Sequence, residues 1–199
     1  MLQAYLKPGR IEAGCDEAGR GCLAGAVFAA AVILPPHFEH EFLRDSKQMT
    51  AKRRQLVRTI IEEQALAWAV AKVEARTIEE INILHASILA MHQAVSALSI
   101  VPEHLLIDGN KFHPYEGITH SCLVKGDQHY LSIAAASVLA KTHRDEYMEQ
   151  LDKQHPCYGW KKNKGYPTKD HRQAVVTHGA CIYHRSSFSY KTSDLEWSL

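Results

Sequence analysis

No apolar run in this chain of 199 residues approaches the ~18 needed to cross a bilayer. The longest, AGAVFAAAVIL from Ala24 to Leu34, suits a buried strand instead. The amino terminus, MLQAYLKPGRIEAG, lacks the basic and then apolar order of a secretory signal, so a cytoplasmic protein without a membrane partner is expected. Five cysteines (Cys15, Cys22, Cys122, Cys157 and Cys181) make no C-x-x-C pair, which argues against a disulfide framework and a cysteine-rich zinc site. Thirteen histidines are equally scattered: no H-E-x-x-H occurs, and Cys181 to His184 is a C-x-x-H without a second half. No Walker G-K-[ST] is present, and Gly19-x-Gly21-x-x-x-Gly25 misses the dinucleotide fingerprint by one residue. Neither sign of charge is in excess, since a net +1 is too small to imply a polyanionic partner.

The 46% hydrophobic and 23% charged residues match an ordinary globular protein, so a packed core is expected and disorder is not. Glu12 to Glu17 reads as a short strand ending in acids, and Ala26 to Leu34 as a buried strand stopped by Pro35-Pro36. GRGCLAG would join them as a hairpin. Thr50 caps a predicted helix through Gln64, with Leu56, Val57, Ile60 and Ile61 as its apolar stripe. Leu66 to Val73 is strand-like. Thr77 and Glu80 predict a capping box for a helix to about Leu98, with Ile81, Leu84, Ile88, Met91 and Val95 facing inward. His104 to Asp108 reads as a strand, Ile118 to Val124 as another, and Ser132 to Lys153 as a helix whose IAAASVLA run lets it lie close to a sheet. A last helix is predicted from Thr168 to His178. The order implies an α/β domain with a mixed β-sheet flanked by helices, and no linker divides it.

Charge is unevenly placed. Residues 160–191 hold Lys161, Lys162, Lys164, Lys169, Arg172, Arg185 and Lys191 against Asp170 alone. Taken by itself this is equally a solvated basic surface or a phosphate-facing one. Asp16 and Asp108 close predicted strands at their carboxyl ends, where sheets present ligand-binding edges. Asp16 and Glu17 are neighbours and point to opposite faces unless the chain turns, which Gly19 and Gly21 permit. Ala134, Ser137, Lys141 and Asp145 share a helical face; spacing alone favours a surface Lys141–Asp145 pair over a site role for Asp145. Carboxylates that converge repel one another unless cations lie among them, and hard oxygen ligands select Mg²⁺ or Mn²⁺. Two such ions would serve phosphodiester hydrolysis.

Five segments in order, DEAGRG, DSK (Asp45 to Lys47), IDGN (Ile107 to Asn110), AAASVLAKTHRD (Ala134 to Asp145) and KGYPT (Lys164 to Thr168), closely resemble the ribonuclease HII family, the type 2 ribonucleases H. Arginine between the glycines favours type HII over HIII. The resemblance implies an RNase H-like fold in one catalytic domain spanning 1–199, with residues ~150–199 as a helical extension packed on it. It implies a two-metal endonuclease, using Mg²⁺ or Mn²⁺, for the RNA strand of RNA/DNA hybrids. It also implies incision 5′ of single ribonucleotides in duplex DNA, leaving 3′-hydroxyl and 5′-phosphate ends. The metal-holding acids fall on Asp16, Glu17, Asp108 and Asp145, which reverses the spacing-only reading of Asp145. Substrate contacts fall on Gly19, Arg20, Gly21, Lys47, Lys164, Tyr166 and Arg185, with Tyr166 at the RNA-to-DNA junction and the glycines letting backbone test a 2′-hydroxyl. Cys22 and Ala26 stand where many relatives have proline, and Ser186 where they have a second arginine. A monomer is the expected state, and the sequence leaves open whether a replication clamp is bound. The rival classes are a non-catalytic hybrid binder, which would lack the acids, and a small-molecule phosphohydrolase, indifferent to polymer length.

Overall fold

The computed structural model describes residues 2–38, 43 and 49–188, so Lys47 and the rest of its DSK segment lie outside the described residues. Among these residues the strands β1 (Glu12–Ala18), β2 (Val27–Ile33), β3 (Ala67–Val73), β4 (His104–Asp108) and β5 (Thr119–Leu123) form one sheet in the order β3-β2-β1-β4-β5. The β1–β2 and β2–β3 pairs are antiparallel, and β1–β4 and β4–β5 are parallel. The sheet is therefore mixed, as the alternation of strands and helices implies.

Strand β2 shows why an unbroken apolar run suits its centre. Ala30 and Val32 join a core beneath helices α1 (Ala51–Gln64) and α3 (Leu131–Gln154), while Val27, Ala29, Ala31 and Ile33 pack beneath α2 (Ala75–Ser96) on the other face. Both faces are covered, so alternation with polar residues is absent. The small residues at the start of α3 do bring it onto the sheet. A Cβ on Gly14 of β1 would lie 2.2 Å from the Ser132 carbonyl carbon, so only glycine admits this approach.

Thr50 caps α1 as predicted, accepting from the Arg53 amide. Helix α2 departs from expectation. It starts at Ala75, before the Thr77–Glu80 box, and breaks at Asn82 (φ 63°, ψ 164°). There the Asn82 side chain accepts the Leu84 and His85 amides, capping the second half of the helix. The break shifts the phase of the apolar stripe: Ile88, Met91 and Val95 are buried, whereas Ile81 and Leu84 are only partly covered. Beyond α3, the short α4 (Trp160–Asn163) and α5 (Lys169–His178, capped by Thr168) pack around Tyr158, Trp160 and Met148. No described helix is long and apolar enough to cross a membrane.

Candidate active site

Parallel pairing of β1 with β4 matches Cys15 to Ile107, so the next residues, Asp16 and Asp108, emerge side by side at the carboxyl ends of adjacent strands. One pocket is lined by Asp16, Glu17, Gly19, Asp108, Ser137, Lys141, Arg54 and Tyr166, among others. Asp16 and Glu17 share it although they are sequence neighbours, because β1 ends one residue later and the chain turns through Gly19 (φ 98°).

Asp16 is 6% exposed. Its Oδ1 accepts the Glu17 amide at 2.7 Å, and Asp108 Oδ1 accepts the Gly126 amide at 2.7 Å. Burial, then the neighbouring Glu17 and Asp108 charges, push the Asp16 carboxyl well above the usual carboxylate range, against a lowering hydrogen bond from Ser137. Burial also raises Glu17, opposed chiefly by Arg20, whose Nη1 lies 3.0 Å from Glu17 Oε1. This is an all-oxygen donor set whose negative charge is poorly compensated, which fits a hard divalent cation. The three carboxylates nevertheless stand apart. Among the described residues no three His, Cys, Asp or Glu side chains are drawn together as a finished cage.

The structure gathers three of the four expected acids. Asp145 lines the adjoining pocket with Arg54, Thr142, Glu149 and Lys164. Its carboxylate pairs with Lys141 at 2.5 Å and stands 3.9 Å from Arg54. The Lys141–Asp145 pair read from helical spacing thus exists, and Arg54 lines both pockets. Arg54 escaped the sequence reading, and helical spacing puts Ser137 on the Asp145 face of its helix without a site role; in AKRRQLVR, Arg54 looks like one more exposed charge of α1, and only tertiary contact singles it out.

The expected substrate contacts separate into two groups. Arg20 and Gly21 are exposed beside the pocket, Gly19 lines it, and Tyr166 (39% exposed) closes one side with its ring 5.5 Å from Lys141 Nζ. Gly19 is glycine for an internal reason: a Cβ there would meet Arg144 Nε at 2.0 Å. At Gly21 it would meet nothing within 4 Å, so that side is open to a strand. Lys164 lines the Asp145 pocket and not that of Asp16, Glu17 and Asp108, its Nζ bonding Glu149 Oε1 and the Lys161 carbonyl, each at 2.6 Å. Arg185 corrects the expectation of a phosphate contact. It is fully buried, and its guanidinium is spent on the carbonyls of Gly19, Arg20 and Gly25. Ser186 donates to Glu79 on α2, away from the pocket, and Cys22 is buried with its thiol toward the Lys164 carbonyl.

Cys181 and His184 belong to a hydrogen-bonded network. Trp160 Nε1–H donates to His171 Nε2 at 3.0 Å, which assigns the His171 proton to Nδ1, aimed at the Tyr166 carbonyl at 3.0 Å. His184 Nε2, 3.2 Å from His171 Nε2, must then donate, leaving its Nδ1 to accept the Cys181 amide at 3.0 Å. This neutral pair links α5 and the segment after it to the Tyr166 backbone.

The mixed sheet, with acids at adjoining strand ends and a cleft beside them, is of the RNase H-like class, as the likeness to solved structures shows. Two solved structures share the fold. The PCNA:RNase HII complex from Archaeoglobus fulgidus is similar with TM-score 0.72 and 22% identity, over 93% of this chain and 98% of that one. Bst-RNase HIII in complex with Mn²⁺ is similar with TM-score 0.70 and 20% identity, over 91% of this chain and 68% of that one. The chain belongs to the ribonuclease HII family, whose model, Ribonuclease HII, matches residues 13–191. A ribonuclease HII from Parabacteroides distasonis is 61% identical over 189 residues, covering 95% of each chain.

Proposed function

We propose that this ribonuclease hydrolyses the RNA strand of RNA/DNA hybrids and incises duplex DNA 5′ of single embedded ribonucleotides. The observation that carries the reading is one pocket holding Asp16, Glu17 and Asp108, bordered by the Gly19–Gly21 loop and Tyr166. Asp16, Glu17 and Asp108 would hold divalent metal, with Asp145 joining as a ligand on exchange of its Lys141 contact. Two Mg²⁺ or Mn²⁺ ions, when bound, would lower the pKa of the attacking water and neutralise charge on the scissile phosphate. Water oxygen bonds to phosphorus as the bond to the 3′ oxygen breaks, giving 3′-hydroxyl and 5′-phosphate ends. The chain's own part is to orient: Ser137 fixes Asp16, Gly126 fixes Asp108, and Tyr166 offers a face to the sugar or base at the junction, worth ~1–3 kcal/mol.

The same reading takes residues 1–199 as one catalytic domain, with ~150–199 as an extension docked on it, acting as a cytoplasmic monomer. Donation from Arg185 to the Gly19 and Arg20 carbonyls, and from the Leu23 amide to the Gly165 carbonyl, supports that docking. The PCNA complex of the archaeal relative makes a replication clamp a partner worth testing. Incision mapping on a duplex with one ribonucleotide decides the matter. A single nick on its 5′ side is expected with Mg²⁺ or Mn²⁺ and none with chelator; an intact strand refutes the reading, and hydrolysis of mononucleotides alone points to a small-molecule phosphohydrolase.

A further inference from the structure

Arg185 Nη1 donates to the Gly19 carbonyl at 2.8 Å and to the Arg20 carbonyl at 3.0 Å. Its Nε and Nη2 reach the Gly25 carbonyl at 3.0 and 2.7 Å. One buried side chain thus ties both ends of the β1–β2 loop together. In a trans peptide the C=O and N–H point in opposite directions, and the described chain has no cis bond. With the Gly19 and Arg20 carbonyls drawn inward onto one buried nitrogen, the N–H groups of Arg20 and Gly21 point outward. Both residues are exposed, and the loop borders the acid pocket at Gly19. Successive amides aimed the same way form a concavity for an oxygen ligand.

The segment carrying Arg185 is itself anchored. Ala24 bridges His184, the Gly25 amide donates to the Tyr183 carbonyl, and the Arg185 amide donates to the Leu23 carbonyl. Glu79 on α2 receives Ser186 and Ser187. Arg144, also fully buried, bonds different carbonyls, those of Ala24, Ala26 and Lys164, and packs its guanidinium against Gly19, so it supports the loop without holding the Gly19 or Arg20 carbonyls.

We infer that Arg185 is a specificity-positioning residue: by holding the Gly19 and Arg20 carbonyls it turns the Arg20 and Gly21 amides toward a ribose 2′-hydroxyl beside the pocket, without touching the nucleic acid. The inference rests on the proposed ribonucleotide-directed function. Its test is equilibrium binding, in chelator, of two duplexes that differ by one ribonucleotide. Wild-type protein prefers the ribonucleotide duplex; equal binding by the wild type would count against the functional reading itself. Arg185→Lys keeps the charge but not the planar fork that spans three carbonyls. It shrinks the preference by roughly tenfold, the scale of one misaligned hydrogen bond, with the salt slope unchanged. Equal weakening of both duplexes would mean a merely structural role, and that result or an unchanged preference overturns the inference. Should Arg185→Lys fail to fold, amide exchange in the wild type decides: the Arg20 and Gly21 amides slow with the ribonucleotide duplex and not with all-DNA, and their failure to slow refutes the positioning role.

Discussion

Asp16 and Asp145 differ in environment more than their shared residue type suggests. Asp16 is nearly sealed between Glu17 and Asp108, and negative charge there is costly until a cation arrives. Asp145 already has Lys141 and Arg54. The two neutralising variants therefore separate in a Mn²⁺ titration followed by calorimetry. Asp16→Asn removes metal binding and activity; in the metal-free protein it raises stability by ~0.5–2 kcal/mol, the usual gain when a strained site residue is relieved. Asp145→Asn weakens Mn²⁺ affinity less than Asp16→Asn does, because it removes a ligand that is not among the three acids of the pocket. Equal losses would show that Asp145 belongs to the set as fully as Asp16.

Helix α5 and the segment after it are held to the Tyr166 loop by a network that exists only while His171 and His184 are neutral. Burial and the facing His171 and His155 bring the His184 pKa down from 6.5 to about 4; burial likewise lowers His171. For a histidine depressed in the folded state, the unfolded chain binds the proton first. The His184 contribution is thus complete above pH 6.5 and is lost as pH falls toward 4. It amounts to something on the order of 3 kcal/mol by linkage. Denaturant unfolding from pH 7 to 4 should show this decline. His184→Asn keeps an acceptor near the Cys181 amide, starts less stable at pH 7, and has a shallower slope. A slope equal to the wild type's would place the acid sensitivity in other groups.

Over the whole molecule a net charge of +1 hides a body that is slightly acidic and a carboxyl-terminal third that is basic. The acids lie in the pocket and the cations around α4 and α5, so polyanion binding depends on distribution and not on total charge. Duplex affinity should fall steeply with salt, with log K against log[salt] sloping at about −3 for three or four phosphate contacts at ~0.9 each. A slope near zero would mean that Lys161, Lys162 and their neighbours are only a solvated face. Lys162, 3.9 Å from Asp170 and well exposed, is the residue for which that bland reading stands strongest.

Most strand and helix boundaries, those of α2 excepted, the Thr50 cap and the emergence of Asp16 and Asp108 at strand ends were legible in the sequence, because periodicity, capping and turn chemistry act between near neighbours. Even the close seating of α3 was readable in its run of alanines. What only the tertiary structure decided are meetings between distant residues. Arg185 crosses 166 positions to Gly19 and ends inside the fold instead of on a phosphate. Arg54 comes from α1 to line the acid pocket and also meets Asp145 of α3 in the next one. A buried guanidinium and an exposed one are the same letter in a sequence; which it becomes depends on whether folding delivers backbone carbonyls to satisfy its donors.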